Sequence, residues 1–158
     1  MSETVSVDMG EVKEKPPLAK GVYTFTFKGS KAFLVRSKKE GSDWIGLSGV
    51  IVPEGHADDA FNIWLAVNHS MSSGLDAKKF LKGLGYTVDG TSAAKLGGQL
   101  ATPEEVKAGN GPQAQLSVDG KQPIPVGFLK FKGETILETN KANGQQQPRL
   151  NVVLGRVE

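Results

Sequence analysis

Cysteine is missing from all 158 positions, which excludes disulfide staples, thiolate nucleophiles and cysteine-based zinc sites and accords with a reducing compartment. Histidine is scarce as well. Only His56 and His69 are available as imidazole bases, so a nucleophile–base pair has few forms open to it. The sequence holds no phosphate-cradling G-x-x-x-x-G-K-[ST] loop and no G-x-G-x-x-G between a strand and a helix. No carboxylate pair sits in a context that would set an acid apart from a base. No apolar run approaches the roughly 20 residues of a bilayer span, and the opening MSETVSVDMGEVKEK lacks the apolar block of a secretory signal. These absences lead us to expect a cytoplasmic, non-enzymatic protein without cofactor or membrane partner. His56, Asp58 and Asp59 offer three metal-ligand types in one loop, but such residues in a Pro/Gly-rich loop are ordinarily solvated, and no metal is expected. The net charge of +2 is too small to identify an anionic partner by itself.

What is present favours β structure. Twenty glycines and eight prolines suit frequent turns and short strands, and the length suits one domain with a proper core. Residues 1–20 read as a flexible arm closed by Pro16 and Pro17, which favour extended backbone. Residues 21–158 read as the domain. In residues 21–28, Tyr23, Phe25 and Phe27 alternate with Thr24, Thr26 and Lys28, the period of a strand with one apolar face. Residues 31–36 continue after Gly29 and Ser30, as a second β segment or as the same strand bent at a bulge. Residues 44–52 form the next strand, with Gly46 and Gly49 marking bending or close backbone approach. Residues 61–68 alternate again, with Phe61, Ile63, Leu65 and Val67 on one face.

A helix follows. Asp76 stands at its start, and Leu75, Phe80, Leu81 and Leu84 line one side, with Gly83 and Gly85 as the stop. Residues 89–123 read as an irregular excursion with room for one helical turn, and residues 101–123 of it as an insertion. Strands return at 124–132 and 134–139, then a polar loop at 139–148 and a last strand at 149–157. Three strands, a helix, an irregular segment and two strands match the order of the OB-fold, a five-stranded Greek-key barrel with a helix between its third and fourth strands. An SH3-like barrel or a small sandwich carries a similar string.

The cations fall in two clusters: Lys28, Lys31, Arg36, Lys38 and Lys39, then Lys121, Lys130, Lys132, Lys141, Arg149 and Arg156, the second interrupted only by Glu134 and Glu138. Single-strand binding needs cations along a groove and aromatic faces for bases. Trp64 is the sharpest candidate, because its parity sets it with Asn62, Ala66 and Asn68 on the polar side of its strand. Its ring is then exposed unless the helix or the insertion covers it. Trp44 follows the basic turn 37–43, either as a stacking ring or as an anchor at the barrel's end. Phe33 lies between Lys31 and Arg36, and Phe128 and Phe131 interleave with Lys130 and Lys132. That interleaving suits a stacking-plus-phosphate surface, and equally a half-buried strand with lysines outside.

Residues 17–27, with Pro17, Gly21 and Tyr23, resemble the opening strand of bacteriophage-encoded OB-fold single-stranded DNA-binding proteins. Residues 75–85 are similar to that family's helix with its leucine-glycine stop, Leu96 to Gln99 to the motif before its fourth strand with Gln99 in place of lysine, and Asn151 to Val153 to its asparagine-led last strand. The resemblance covers residues 16–100 and 124–157. It implies a protein that coats single-stranded DNA in phage replication or recombination, with replication or recombination proteins as partners and self-association open to it. The insertion at 101–123 departs from the family, as does an ending, residues 154–158, without the acidic tail that recruits partners. On this reading the nucleic-acid-binding residues are Lys28, Lys31, Phe33, Arg36, Lys38, Lys39, Trp44, Trp64, Phe128, Lys130, Lys132, Lys141 and Arg149. A structural or assembly protein of a virus particle is the alternative from another class. A carbohydrate- or peptide-binding barrel is a third reading, which leaves the lysines without a role.

Overall fold

A computed structural model describes residue 4 and residues 17–119 and 121–157; the expectation for residues 1–16 lies outside them, apart from residue 4. Five long strands and a helix follow the expected order: β1 (Gly21–Arg36), β2 (Ile45–Pro53), β3 (Phe61–Ala66), α1 (Ala77–Gly83), and later β7 (Lys130–Thr139) and β8 (Gln146–Arg156). The long strands form one antiparallel sheet in the order β3-β2-β1-β7-β8. Strand β1 is continuous through the Gly29–Ser30 interruption. Both residues turn to positive φ, and the pairing with β2 shifts register between Phe27 and Ala32, as a bulge requires.

The sheet is open, which corrects the expected closed barrel: β3 and β8 are its two edges and share no ladder. Leu75 and Pro148 lie in the cleft between those edges, beside Ile63 and Leu150. Pro148 has no N–H to donate, which suits an edge strand.

The insertion is a second correction. Residues 95–119 and 121–125 are folded, with β4 (Lys95–Gly97), β5 (Gln115–Ser117) and β6 (Ile124–Pro125) making a three-stranded sheet and α2 (Pro103–Ala108) between its first two strands. Helix α2 starts on a capping box, in which Thr102 accepts from the Glu105 N–H and Glu105 accepts from the Thr102 N–H, satisfying two donors that a helix start leaves unpaired. It stops at Gly109 in the left-handed region. The segment expected as a strand over 124–132 divides into β6, a 3₁₀ turn at Val126–Phe128, and the start of β7.

The alternation of β1 buries Phe25 and Phe27 and exposes Thr26 and Lys28. Phe25 and Phe131 stack at 5.6 Å, and Phe80 of α1 meets Phe131 edge-on at 5.2 Å. All three are fully buried, so the helix closes the core by placing a ring against β7. Asp76 caps α1 by accepting from the Lys79 N–H at 2.8 Å and the Met71 N–H at 2.9 Å, which is why a 2% exposed carboxylate is tolerated there. Leu18 is buried and the Ala19 carbonyl accepts from the Tyr23 hydroxyl, so the last residues of the expected arm belong to the packed domain. Among the described residues no helix is long and apolar enough to cross a membrane.

Candidate functional site

The outer face of the sheet is read from its registers. Trp64 pairs with Ser48 and Asn62 with Val50 across β3 and β2, while Thr26 pairs with both Val52 and Lys130 across β1. Partners in a ladder share a face, so Trp64, Asn62, Ser48, Val50, Thr26 and Lys130 all point away from the core. The parity expected for Trp64 holds, and its side chain is 41% exposed.

What supports that ring is a glycine. A Cβ on Gly46 would stand 2.0 Å from Cε2 of Trp64 and 2.4 Å from its Nε1, so the indole lies directly on the β2 backbone where no side chain exists. One face of the ring is thereby seated and the other is available. Trp44 is close by: the two tryptophans line one cleft with Lys39, Ser42 and Asp43. Trp44 stacks on His69 with centroids 4.4 Å apart and planes at 17°. His69 Nε2 lies 3.0 Å from Asp43 Oδ1. Asn68 clamps the same corner, accepting from the Ile45 N–H at 2.8 Å and donating to the Asp43 carbonyl at 2.7 Å. One face of Trp44 is therefore occupied by His69, and the ring is partly exposed.

The structure gathers some expected residues around Trp64 and disperses others. Lys38 and Lys39 are exposed on the turn beside Trp44, and Lys141 is exposed on the β7–β8 turn. Lys28 is exposed on the outer face and lines a cleft with Val50 and Asn62. Lys31 lines that cleft too, but its ammonium donates to the Gly109 carbonyl and so caps α2. Arg149 is paired with Glu138 at 3.2 Å, and Lys130 with Glu54 at 3.8 Å. Lys132 is exposed opposite Thr24. Arg36 has the core parity of Leu34 and is exposed only because it ends β1.

Phe33 is corrected as a stacking residue. It is 5% exposed, although it shares the outer face with Ser48 and Trp64. The segment after β4 covers it: the Ala101 N–H donates to the Leu34 carbonyl at 2.8 Å and the Ala114 N–H to the Ala32 carbonyl at 2.9 Å, with the ring under Gly111. Phe128 differs in the other direction. It lies on the 3₁₀ turn and is 69% exposed, next to Gly127, which packs on β1 where a Cβ would stand 2.2 Å from the Ser30 carbonyl oxygen. Phe131, by contrast, is a core residue.

Lys107, on α2 beside this face, is the residue that sequence reasoning missed, whereas parity had already set Asn62 beside Trp64. The close backbone approach expected at Gly46 was legible, but its partner was not. Lys107 follows the T-P-E-E capping signature at 102–105, which was readable as a helix start. His56 and Asp59 approach at 3.7 Å, and among the described residues no three His, Cys, Asp or Glu groups converge as a metal site. No family model, curated protein or solved structure matches the chain.

Proposed function

We propose that this chain is a non-catalytic, sequence-tolerant single-stranded DNA-binding protein that supports bacteriophage replication or recombination through the outer face of an OB-like sheet. The observation that carries the reading is Trp64, a half-exposed indole seated flat on Gly46, with Trp44 and Lys39 in the cleft beside it. Every base has a π-face, so a seated ring stacks without regard to sequence, and lysines at its margin neutralise the backbone. The succession of long strands supports the OB-like part: β1, β2 and β3, then α1, then β7 and β8. In such folds the face of the second and third strands and the flanking loops bind oligonucleotides. Here those parts are Ser48, Val50, Asn62 and Trp64, with Lys38 and Lys39 on the loop between β1 and β2.

Titration with unlabelled oligo-dT at low salt should quench tryptophan fluorescence, whereas duplex of equal length should quench far less. Trp64→Ala should weaken binding of a labelled oligo-dT by about 1–3 kcal/mol, the worth of one base–aromatic stack. Absence of both quenching and a gel shift at low salt would remove the proposal.

A second reading, assembly of a virus particle, draws on Val22 and Val152. They flank Glu134 across β1, β7 and β8 and are 53% and 41% exposed, an apolar pair suited to subunit docking. Self-association in sedimentation without any oligonucleotide binding would favour it.

A further inference from the structure

We infer, resting on the single-strand reading above, that a bound strand leaves Trp64 through the cleft between β2 and α2, with phosphates on Lys28 and Lys107, and not along the β7–β8 hairpin. Besides the cleft that Trp64 shares with Trp44, where Glu40 and Asp43 stand beside Lys39, two clefts lead away from the outer face of β3. The first runs toward β8 past Arg149, Glu138 and Gln147. Its one cation is already paired with Glu138, so the charge lining it sums to zero and a phosphate entering there meets a carboxylate. The second is lined by Lys28, Lys31 and Lys107, with Val50 and Asn62 as part of its floor and no acidic residue in its lining.

Among the described residues neither Lys28 nor Lys107 has an ion-pair partner. The Lys31 ammonium is bonded to the Gly109 carbonyl. It thus covers the negative end of α2 that would otherwise face an arriving anion. Asn62 lies two residues from Trp64 on the same face, about 7 Å along the strand, and continues the path with an amide that can meet a sugar or a base edge. The wall is fixed. Thr102 and Glu105 cap α2 reciprocally, and Ala101 is bonded to β1, so Lys107 is carried on an anchored helix. The insertion, which buries Phe33, thereby replaces one lost stacking ring with a second bank of the groove.

The test compares Lys28→Ala/Lys107→Ala with Lys141→Ala/Arg149→Ala. Oligo-dT affinity is followed by tryptophan quenching across a salt series, and thermal midpoints check that these exposed changes leave the fold intact. Removing two single-strand phosphate contacts should lower the slope of log K against log salt by about 1.4. The first variant should therefore bind about 60-fold more weakly at 50 mM salt and converge with wild type near 1 M. The second variant should keep the wild-type slope. A slope lost in the second variant, or in neither, overturns the inference while wild-type quenching leaves the binding proposal standing. Absence of quenching in the wild type removes both.

Discussion

Replacing Gly46 with alanine isolates the seat beneath Trp64. No positive φ is involved at this position, so the β2 backbone accepts an L-residue and the substitution acts through the indole alone. The new Cβ would stand 2.0 Å from Cε2, where ordinary contact begins at 3.4 Å. The ring must therefore lift off the strand or swing into solvent. Overpacking of this kind costs about 1–3 kcal/mol. A ring that is 41% exposed has somewhere to go, which sets the expectation at about 1 kcal/mol, the low end of that range. The assay is a double-mutant cycle in urea with wild type, Gly46→Ala, Trp64→Ala and the double variant. Without the indole, the added methyl meets no obstacle, and Gly46→Ala recovers the ~0.5–1 kcal/mol that glycine costs in a strand interior. The coupling energy should then be about 1.5–2 kcal/mol, accompanied by a red shift of tryptophan emission in Gly46→Ala alone. Equal destabilisation by Gly46→Ala in both backgrounds would show that the clash lies elsewhere and would refute the seat.

Two further expectations separate packing from binding. Phe33→Ala should destabilise the fold by about 3 kcal/mol, the low end for a buried phenylalanine because its cover is a single layer of chain. It should leave the oligo-dT affinity of the folded fraction unchanged, and a loss of affinity without a loss of stability would restore Phe33 as a stacking residue. Asp76→Ala should cost about 1–2 kcal/mol in urea unfolding by removing the acceptor for the Lys79 N–H in the first turn of α1 and for the Met71 N–H in the loop before it, while Asp76→Asn retains part of that; an unchanged midpoint for Asp76→Ala would show that the cap is dispensable.

Much of the large sheet was readable because its signals are local. The alternation of Tyr23, Phe25 and Phe27 names both the strand and its buried face, since successive side chains must point to opposite sides. The same rule placed Trp64 outside, where it is. The break at Gly29 and Ser30 was legible as an interruption, but whether it separated two strands or bent one was decided by the β1–β2 register. The small sheet was not readable. Strands β4, β5 and β6 have three, three and two residues, too few for a period of two to register.

The fate of the aromatic side chains shows where local reasoning ends. Phe33 and Trp64 both belong to outward parity, both stand among polar or basic neighbours, and the chain nearby does not distinguish them. Only the return of residues 98–114 across β1 decides that Phe33 is roofed and Trp64 is not. The seat on Gly46 likewise follows from the β2–β3 register, which sets a particular glycine under a particular ring.

The amino-acid order alone determined which segments alternate and where the first helix starts, because each depends on neighbours within a few residues, and the composition leaves no thiol. Tertiary structure alone decided which rings are covered, which cations are spent on carbonyls and carboxylates, and that the sheet stays open between β3 and β8. Those outcomes depend on surfaces meeting across the fold, and the free energy of burial is assigned only when they meet.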